Sequence, residues 1–195
     1  MTALSSVEQT LEWVRRLQLV MEASAPPGVP SFVEAVAGGP VKGSWWAHPL
    51  GKRMYVLSEA VADSGEVMVV KLLGGKRTWI HRDSWPLVLR VVLDKEWRAE
   101  RLARVNAEAA GQFQRIEKAG RVRAPPPAPT TALEKRMLVH VASEHSPSGR
   151  HVKVATAWNA WASAVGADGA GADLSLAEAL AGLNKLAAGH PTALN

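Results

Sequence analysis

The sequence predicts an α+β protein, mostly helical, on three observations. Val67-Met68-Val69-Val70-Lys71-Leu72-Leu73 and Lys76-Arg77-Thr78-Trp79-Ile80-His81-Arg82 are rich in β-branched and aromatic residues and flank Gly74-Gly75, a pair free to take positive φ. They therefore form a hairpin, and its tip carries Lys76 and Arg77. Most of the remaining chain has helical apolar spacing. The order before the hairpin is helix, short helix, helix, so the N-terminal part reads as a winged helix-turn-helix-like unit with one basic β-hairpin, followed by a smaller helical unit.

Taken in order, Ser5 with Glu8 makes a capping box, and Val7, Leu11, Val14, Leu17 and Met21 predict a first helix from Ser6 to Glu22, stopped by Pro26-Pro27-Gly28. A short helix follows from Ser31 to Ala37, ended by Gly38-Gly39-Pro40. After the loop Val41 to Pro49, Gly51 to Ala62 makes a third helix with Met54, Leu57 and Val61 inward, and Asp63-Ser64-Gly65 ends it. Pairing Leu73 with Lys76 sets Leu72/Arg77, Val70/Trp79 and Met68/His81 on one face of the hairpin, and Lys71/Thr78, Val69/Ile80 and Val67/Arg82 on the other. Both faces are apolar at the base and basic at the tip.

Ser84 caps the next helix, with Pro86 in its first turn. Its pattern continues through Leu93, Trp97, Leu102 and Val105 towards Ile116, with a break expected near Asp94 or Gly111 because a single helix that long is unusual. The run from Arg121 to Pro129 reads as a semi-rigid polyproline linker. The expected organisation is thus a unit over 1–123, a linker over 124–130 and a small helical unit over 131–195. In the last, Thr131 with Glu134 caps a helix with Leu133, Met137 and Val141 on one face. Ser146-Pro147-Ser148-Gly149 turns the chain into a short strand, His151-Val152-Lys153-Val154, and Thr156 caps a helix bearing Trp158, Trp161 and Val165. Gly166 to Ala172 is a flexible Ala/Gly tract, and Ser175 with Glu178 opens a final helix whose Leu176, Leu180 and Leu183 pack on the body of the protein or meet a partner.

Composition bounds the function. With 195 residues and 47% apolar content the chain can build a core without staples. It has no cysteine, which excludes disulfides and thiolate chemistry and fits a reducing cytoplasm. Glu8 and Glu12 in the first residues argue against a signal peptide, and no run nears 18 uninterrupted apolar residues, so no membrane association is expected. The net charge of +5 is concentrated in the middle: −1 over residues 1–44, +3 over 45–92, +3 over 93–123 and 0 over 124–195. A polyanion is drawn to the hairpin and the segment after it. Eight tryptophans stand against one tyrosine and two phenylalanines. Most lie in amphipathic contexts as core, whereas Trp45-Trp46, in a Gly/Pro-punctuated loop, also reads as a stacking platform.

Catalytic patterns are sparse. Phosphate-loop, dinucleotide-fold and nucleophile-elbow motifs are all missing. His140, Glu144, His145 and His151 form the densest group of candidate catalytic or metal-binding side chains. On a helix, however, His140 and His145 would sit about 140° apart and could not easily meet one metal; His140 and Glu144 do share a face and His151 could return across the turn, but no metal or other cofactor is assigned. His48 before Pro49, and His81 beside Asp83, are the other catalytic candidates.

Three segments, Ser44-Trp45-Trp46-Ala47-His48-Pro49-x-Gly51, Val69 to Pro86 around Gly75-Lys76, and Glu134-x-Arg136-Met137-Leu138-Val139-His140 to Ser148-Gly149-Arg150-His151, resemble an uncharacterised bacterial family for which no activity is established. The resemblance covers roughly residues 43–165. A weaker one is to the winged-helix DNA glycosylases, whose chemistry is done by a Gln-x-Asp or Gln-x-Gln pair on a hairpin. Here the hairpin carries Lys76-Arg77-Thr78, so this resemblance implies the fold and not glycosylase activity.

The expected function is nucleic-acid binding, to DNA first and RNA second. Lys52, Arg53, Lys76 and Arg77 would contact phosphates, supported by Arg82 and a stripe begun by Arg98. The alternatives are a histidine-based hydrolase, with or without a metal, in which His140, Glu144 and His151 meet His48 or His81, and an interaction module that forms homo-oligomers through the leucine stripe.

Overall fold

The Ser6 side chain accepts a hydrogen bond from Gln9 N and starts helix α1 (Val7–Leu17), which buries Thr10, Trp13 and Val14 on one face. The cap lies one residue beyond the expected Ser5, which instead donates through N and Oγ to Gln9 Oε1. The helix does not reach Glu22. Gln18 turns the chain at φ 66° and ψ −34°, and Leu19–Met21 form strand β1. All three strand residues are at most 1% exposed, so the apolar spacing that read as helix serves a strand buried on both faces.

Helix α2 (Phe32–Ala37), capped by the Ser31 side chain, and helix α3 (Gly51–Ala62) lie where the sequence placed them, with Met54, Leu57 and Val61 buried. Strands β2 (Val67–Leu73) and β3 (Lys76–His81) form the hairpin through Gly74 and Gly75, at φ 56° and 70°. The antiparallel sheet has the order β1-β3-β2. Its register agrees with expectation at Leu73 opposite Lys76 and then departs. A bulge sets Val70 opposite Thr78, Val69 opposite Trp79, Met68 opposite Ile80 and Val67 opposite His81. Thr78 braces the bulge, its Oγ1 donating to Lys76 O (3.2 Å) and accepting from Leu73 N (3.4 Å). Trp79 thereby joins Val20 and Val69 on the core face and packs on Phe32, with ring centroids 4.6 Å apart.

This computed structural model, an α+β fold with two three-stranded sheets, describes residues 3–145 and 150–194, His145 by its backbone only. The chain divides into two compact units, Met1–Trp85 with Asn184–Thr192, and Pro86–Leu183 with Ala193–Asn195. The first unit thus ends before the helical segment that the sequence assigned to it.

Helices α4 (Trp85–Val92), α5 (Lys95–Leu102) and α6 (Ala107–Ala119) divide the long pattern. One break falls at Asp94, whose carboxylate accepts from Glu96 N and Trp97 N, and the other at Asn106, whose side chain accepts from Ala109 N. Gly111 lies inside α6. The expected linker is structured: Arg121–Arg123 are strand β4, and Pro127–Glu134 are helix α7 with proline in its first turn. Val122 joins a core of Phe113, Ile116, Leu133, Leu138 and Ala155, which a solvated linker would not supply. The expected helix through Val141 stops at Glu134. Met137 takes φ 56°, and strands β5 (His140–His145) and β6 (His151–Thr156) complete a second sheet in the order β4-β6-β5. The second part is therefore not purely helical. The turn expected at Ser146-Pro147-Ser148-Gly149 lies outside the described residues.

Helix α8 (Trp158–Ala164) follows Ala157 without a side-chain cap, one residue later than the expected Thr156. Helix α9 (Leu176–Leu186) opens with the expected box, Ser175 and Glu178 bonding each other's backbone N–H. The chain from Asn184 to Thr192 belongs to the first unit, where Thr192 bridges Leu73 and His190 Nε2 lies 2.8 Å from Pro27 O.

The two units share a chain order. Each has a helix, one residue of positive φ, a three-residue strand, a helix and a hairpin whose second strand is central. The agreement extends to single hydrogen bonds. His81 N donates to Gln18 O at 2.9 Å and Ala157 N to Gly120 O at 2.8 Å, while Glu22 N donates to Arg77 O at 3.1 Å and Ala124 N to Lys153 O at 2.9 Å. Each pair of bonds brackets a three-residue ladder, Leu19–Met21 on Thr78–Ile80 and Arg121–Arg123 on Val154–Thr156. The units differ between that short strand and the helix before the hairpin. The first holds residues 22–50, with α2 and the tryptophan loop, where the second has only Ala124-Pro125-Pro126.

Candidate nucleic-acid interface

Gly51 starts α3 where the chain leaves almost no room. A Cβ at Gly51 would lie 2.9 Å from the carbonyl oxygens of both Trp45 and Trp46, so glycine alone lets this loop sit against the helix. The loop folds as a short 3₁₀ turn, Trp45–Ala47, closed by His48 N donating to Trp45 O (3.1 Å) and Gly51 N donating to His48 O (2.8 Å). His48 Nδ1 accepts from Leu50 N at 3.1 Å, so this candidate catalytic residue braces the turn. The Trp45 and Trp46 rings stack, with centroids 4.1 Å apart and planes 23° from parallel, and Tyr55 lies 5.4 Å from Trp46.

Lys52 and Arg53 are exposed in the first turn of α3, and Lys76 is exposed beside the Gly-Gly turn. Among the described residues none of the three has an ion-pair partner. Two cations at a helix N-terminus add to the positive end of the macrodipole, a local cost of tenths of a kcal/mol each that a bound anion reverses.

The other expected binding cations are engaged. Arg77 Nη1 lies 3.2 Å from Glu22 Oε1 and 3.9 Å from Glu59 Oε1. Glu22 is nearly buried and accepts a 2.6 Å hydrogen bond from Ser58 Oγ, so Arg77 closes a network that ties the end of β1, helix α3 and strand β3 together. Glu22 was unreadable as a network member, because the sequence assigned it to the end of a helix. Arg82 pairs with Glu66 at 2.8 Å. Arg98, in the second unit, pairs with Glu117 at 2.6 Å and lies over the Phe113 ring.

The histidines are similarly placed by structure. His81 is 4% exposed; its Nδ1 accepts from Asp83 N at 3.3 Å and lies 3.2 Å from the Asp83 carboxylate, capping the turn before α4. His140 is buried against Trp158 and Trp161, with centroids 5.5 and 5.3 Å away. Glu144 shares its strand face but sits four residues on, about 13 Å along β5, and pairs with Arg121. His151 is exposed at the start of β6. Among the described residues no three histidine or acidic side chains gather as metal ligands, and no helix is long and apolar enough to cross a membrane.

Comparisons with protein-family models, curated proteins and solved structures gave no match. The exposed cations and the aromatic stack of the first unit remain as its chemically distinctive surface.

Proposed function

We propose that the first unit is a winged helix-turn-helix that binds duplex DNA, with Lys52 and Arg53 at the start of α3 and Lys76 on the hairpin wing contacting phosphates. The order helix, strand, helix, helix, hairpin, with the first strand beside the last, supports the fold reading. The observation that carries the binding reading is that these three cations are exposed and have no ion-pair partner among the described residues, while Arg77, Arg82 and Arg98 are held by carboxylates. The Arg77–Glu59 pair fastens the wing to α3 seven residues from Lys52, about 10 Å along the helix axis. This tie supports phosphate contacts made by both elements. Such contacts position the protein and carry no base sequence. A reducing cytoplasm is the compartment this reading expects of the cysteine-free chain.

Lys52→Ala with Arg53→Ala is expected to weaken binding of a 20-base-pair duplex severalfold, whereas Arg98→Ala leaves it unchanged. Equal affinities for the wild type and the Lys52/Arg53 variant in a titration would exclude this surface.

A further inference from the structure

We propose that Trp46 is a stacking platform for an unpaired nucleobase, which gives this surface a preference for DNA carrying an unpaired base over fully paired duplex. The inference rests on the nucleic-acid reading above and names the chemistry of the same surface. Trp46 is 62% exposed, while Trp13, Trp79, Trp85, Trp97 and Trp158 are buried. Leaving so much indole in water forgoes the burial that makes tryptophan stabilising.

The platform is also braced. Trp45 backs one face of the Trp46 ring, Tyr55 flanks it, and the backbone beneath is pinned against Gly51 with no room for a side chain. An aromatic face braced in its binding orientation loses less entropy on binding than a free one. Its surroundings match one ligand: Lys52 and Arg53 begin the helix that the loop abuts, and Val56, 53% exposed, follows one turn on. An exposed aromatic face on a loop that abuts the helix begun by two exposed cations complements a base and its flanking phosphates, the pairing used by single-strand binders.

The second unit supplies an independent argument. It closes an equivalent sheet with the same bracketing hydrogen bonds and holds only Ala124-Pro125-Pro126 where the first unit has the tryptophan loop. The loop is therefore not needed to complete this topology, and its exposed ring is not explained by folding.

The test compares the full chain with Trp46→Ala, Trp46→Phe and Trp46→Leu on two probes: a fully paired duplex closed at both ends by covalent loops, and the same duplex carrying one extrahelical thymine midway. The wild type should prefer the thymine-bearing probe. Trp46→Ala and Trp46→Leu should each abolish that preference, a loss of roughly tenfold in affinity for that probe, while Trp46→Phe keeps most of it and the closed duplex is bound equally by all four. Leucine retains bulk, so a loss shared with alanine reports the ring face. The proposal is overturned if the preference survives Trp46→Ala or if Trp46→Ala weakens both probes alike. Should the closed duplex respond to Lys52→Ala with Arg53→Ala while Trp46→Ala changes nothing, stacking fails and the phosphate reading stands; if the wild type binds neither probe, both fail.

Discussion

Arg77 and Lys76 are adjacent in sequence and opposite in role. Lys76 is exposed with no ion-pair partner among the described residues, whereas Arg77 neutralises the nearly buried Glu22, which already accepts from Ser58. Arg77→Ala should therefore destabilise the protein by about 1–3 kcal/mol, because it strands a carboxylate. Lys76→Ala should leave the denaturation midpoint unchanged and act on binding alone. Equal midpoints for wild type and Arg77→Ala would contradict the network. Composition could identify a basic tip but not this division of labour, which depends on Glu22 leaving the helical register at Gln18. Trp79 offers a second test in the core. Its ring is fully buried, and its indole N–H has no hydrogen-bond partner among the described residues. Trp79→Phe should cost less than half of what Trp79→Ala costs in a denaturation series, since phenylalanine forfeits volume but no hydrogen bond.

At the scale of elements, α2, α3, the Gly-Gly hairpin and the box at Ser175 were legible, because each has a stop signal or capping residue at its boundary. Strands β1 and β4 were not. Leu19-Val20-Met21 continues a helical apolar spacing, and Arg121-Val122-Arg123 offers one apolar residue between charges. Both are strands because a central hairpin strand supplies their backbone partners, a long-range cause that local pattern does not carry. The hairpin register slipped for a related reason: the bulge depends on the Thr78 hydroxyl bonding at Lys76 and Leu73. Of the candidate site, the three free cations and the Trp45-Trp46 loop were legible, but the ion pairs that remove Arg77, Arg82 and Arg98 were not.

Asp94 is the break that sequence located, and it can be tested by pH. Its carboxyl is held below the ordinary carboxylate range chiefly by the Trp97 backbone N–H, with the Arg90 guanidinium next. A depressed folded value means that the stabilisation is complete above the unfolded pKa near 4 and is lost as pH falls through the lower folded value. Asp94→Ala should cost about 1 kcal/mol at pH 7, and Asp94→Asn less, because the amide oxygen still caps α5. The gap between wild type and Asp94→Asn should shrink as pH is lowered from 5 to 2; a constant gap would mean that the charge contributes nothing.

Across the whole molecule, the same small architecture occurs twice, once with a long insertion and once without. The final residues serve both units: Thr192 bridges Leu73 in the first, while Leu194 O accepts from Trp97 Nε1 at 2.9 Å in the second. Removing residues 187–195 should therefore lower the unfolding midpoint of the entire chain rather than of one unit, and calorimetry showing an unaltered transition would contradict that. The positive charge is likewise selective at this scale. Of the six cations marked by sequence, only Lys52, Arg53 and Lys76 are exposed and without an ion-pair partner among the described residues, and all three belong to the first unit. The most direct test of phosphate binding is the dependence of duplex affinity on salt for the wild type and for Lys52→Ala, Arg53→Ala and Lys76→Ala combined. Three lost phosphate contacts should make the slope of log affinity against log salt shallower by about three; an unchanged slope would contradict the account.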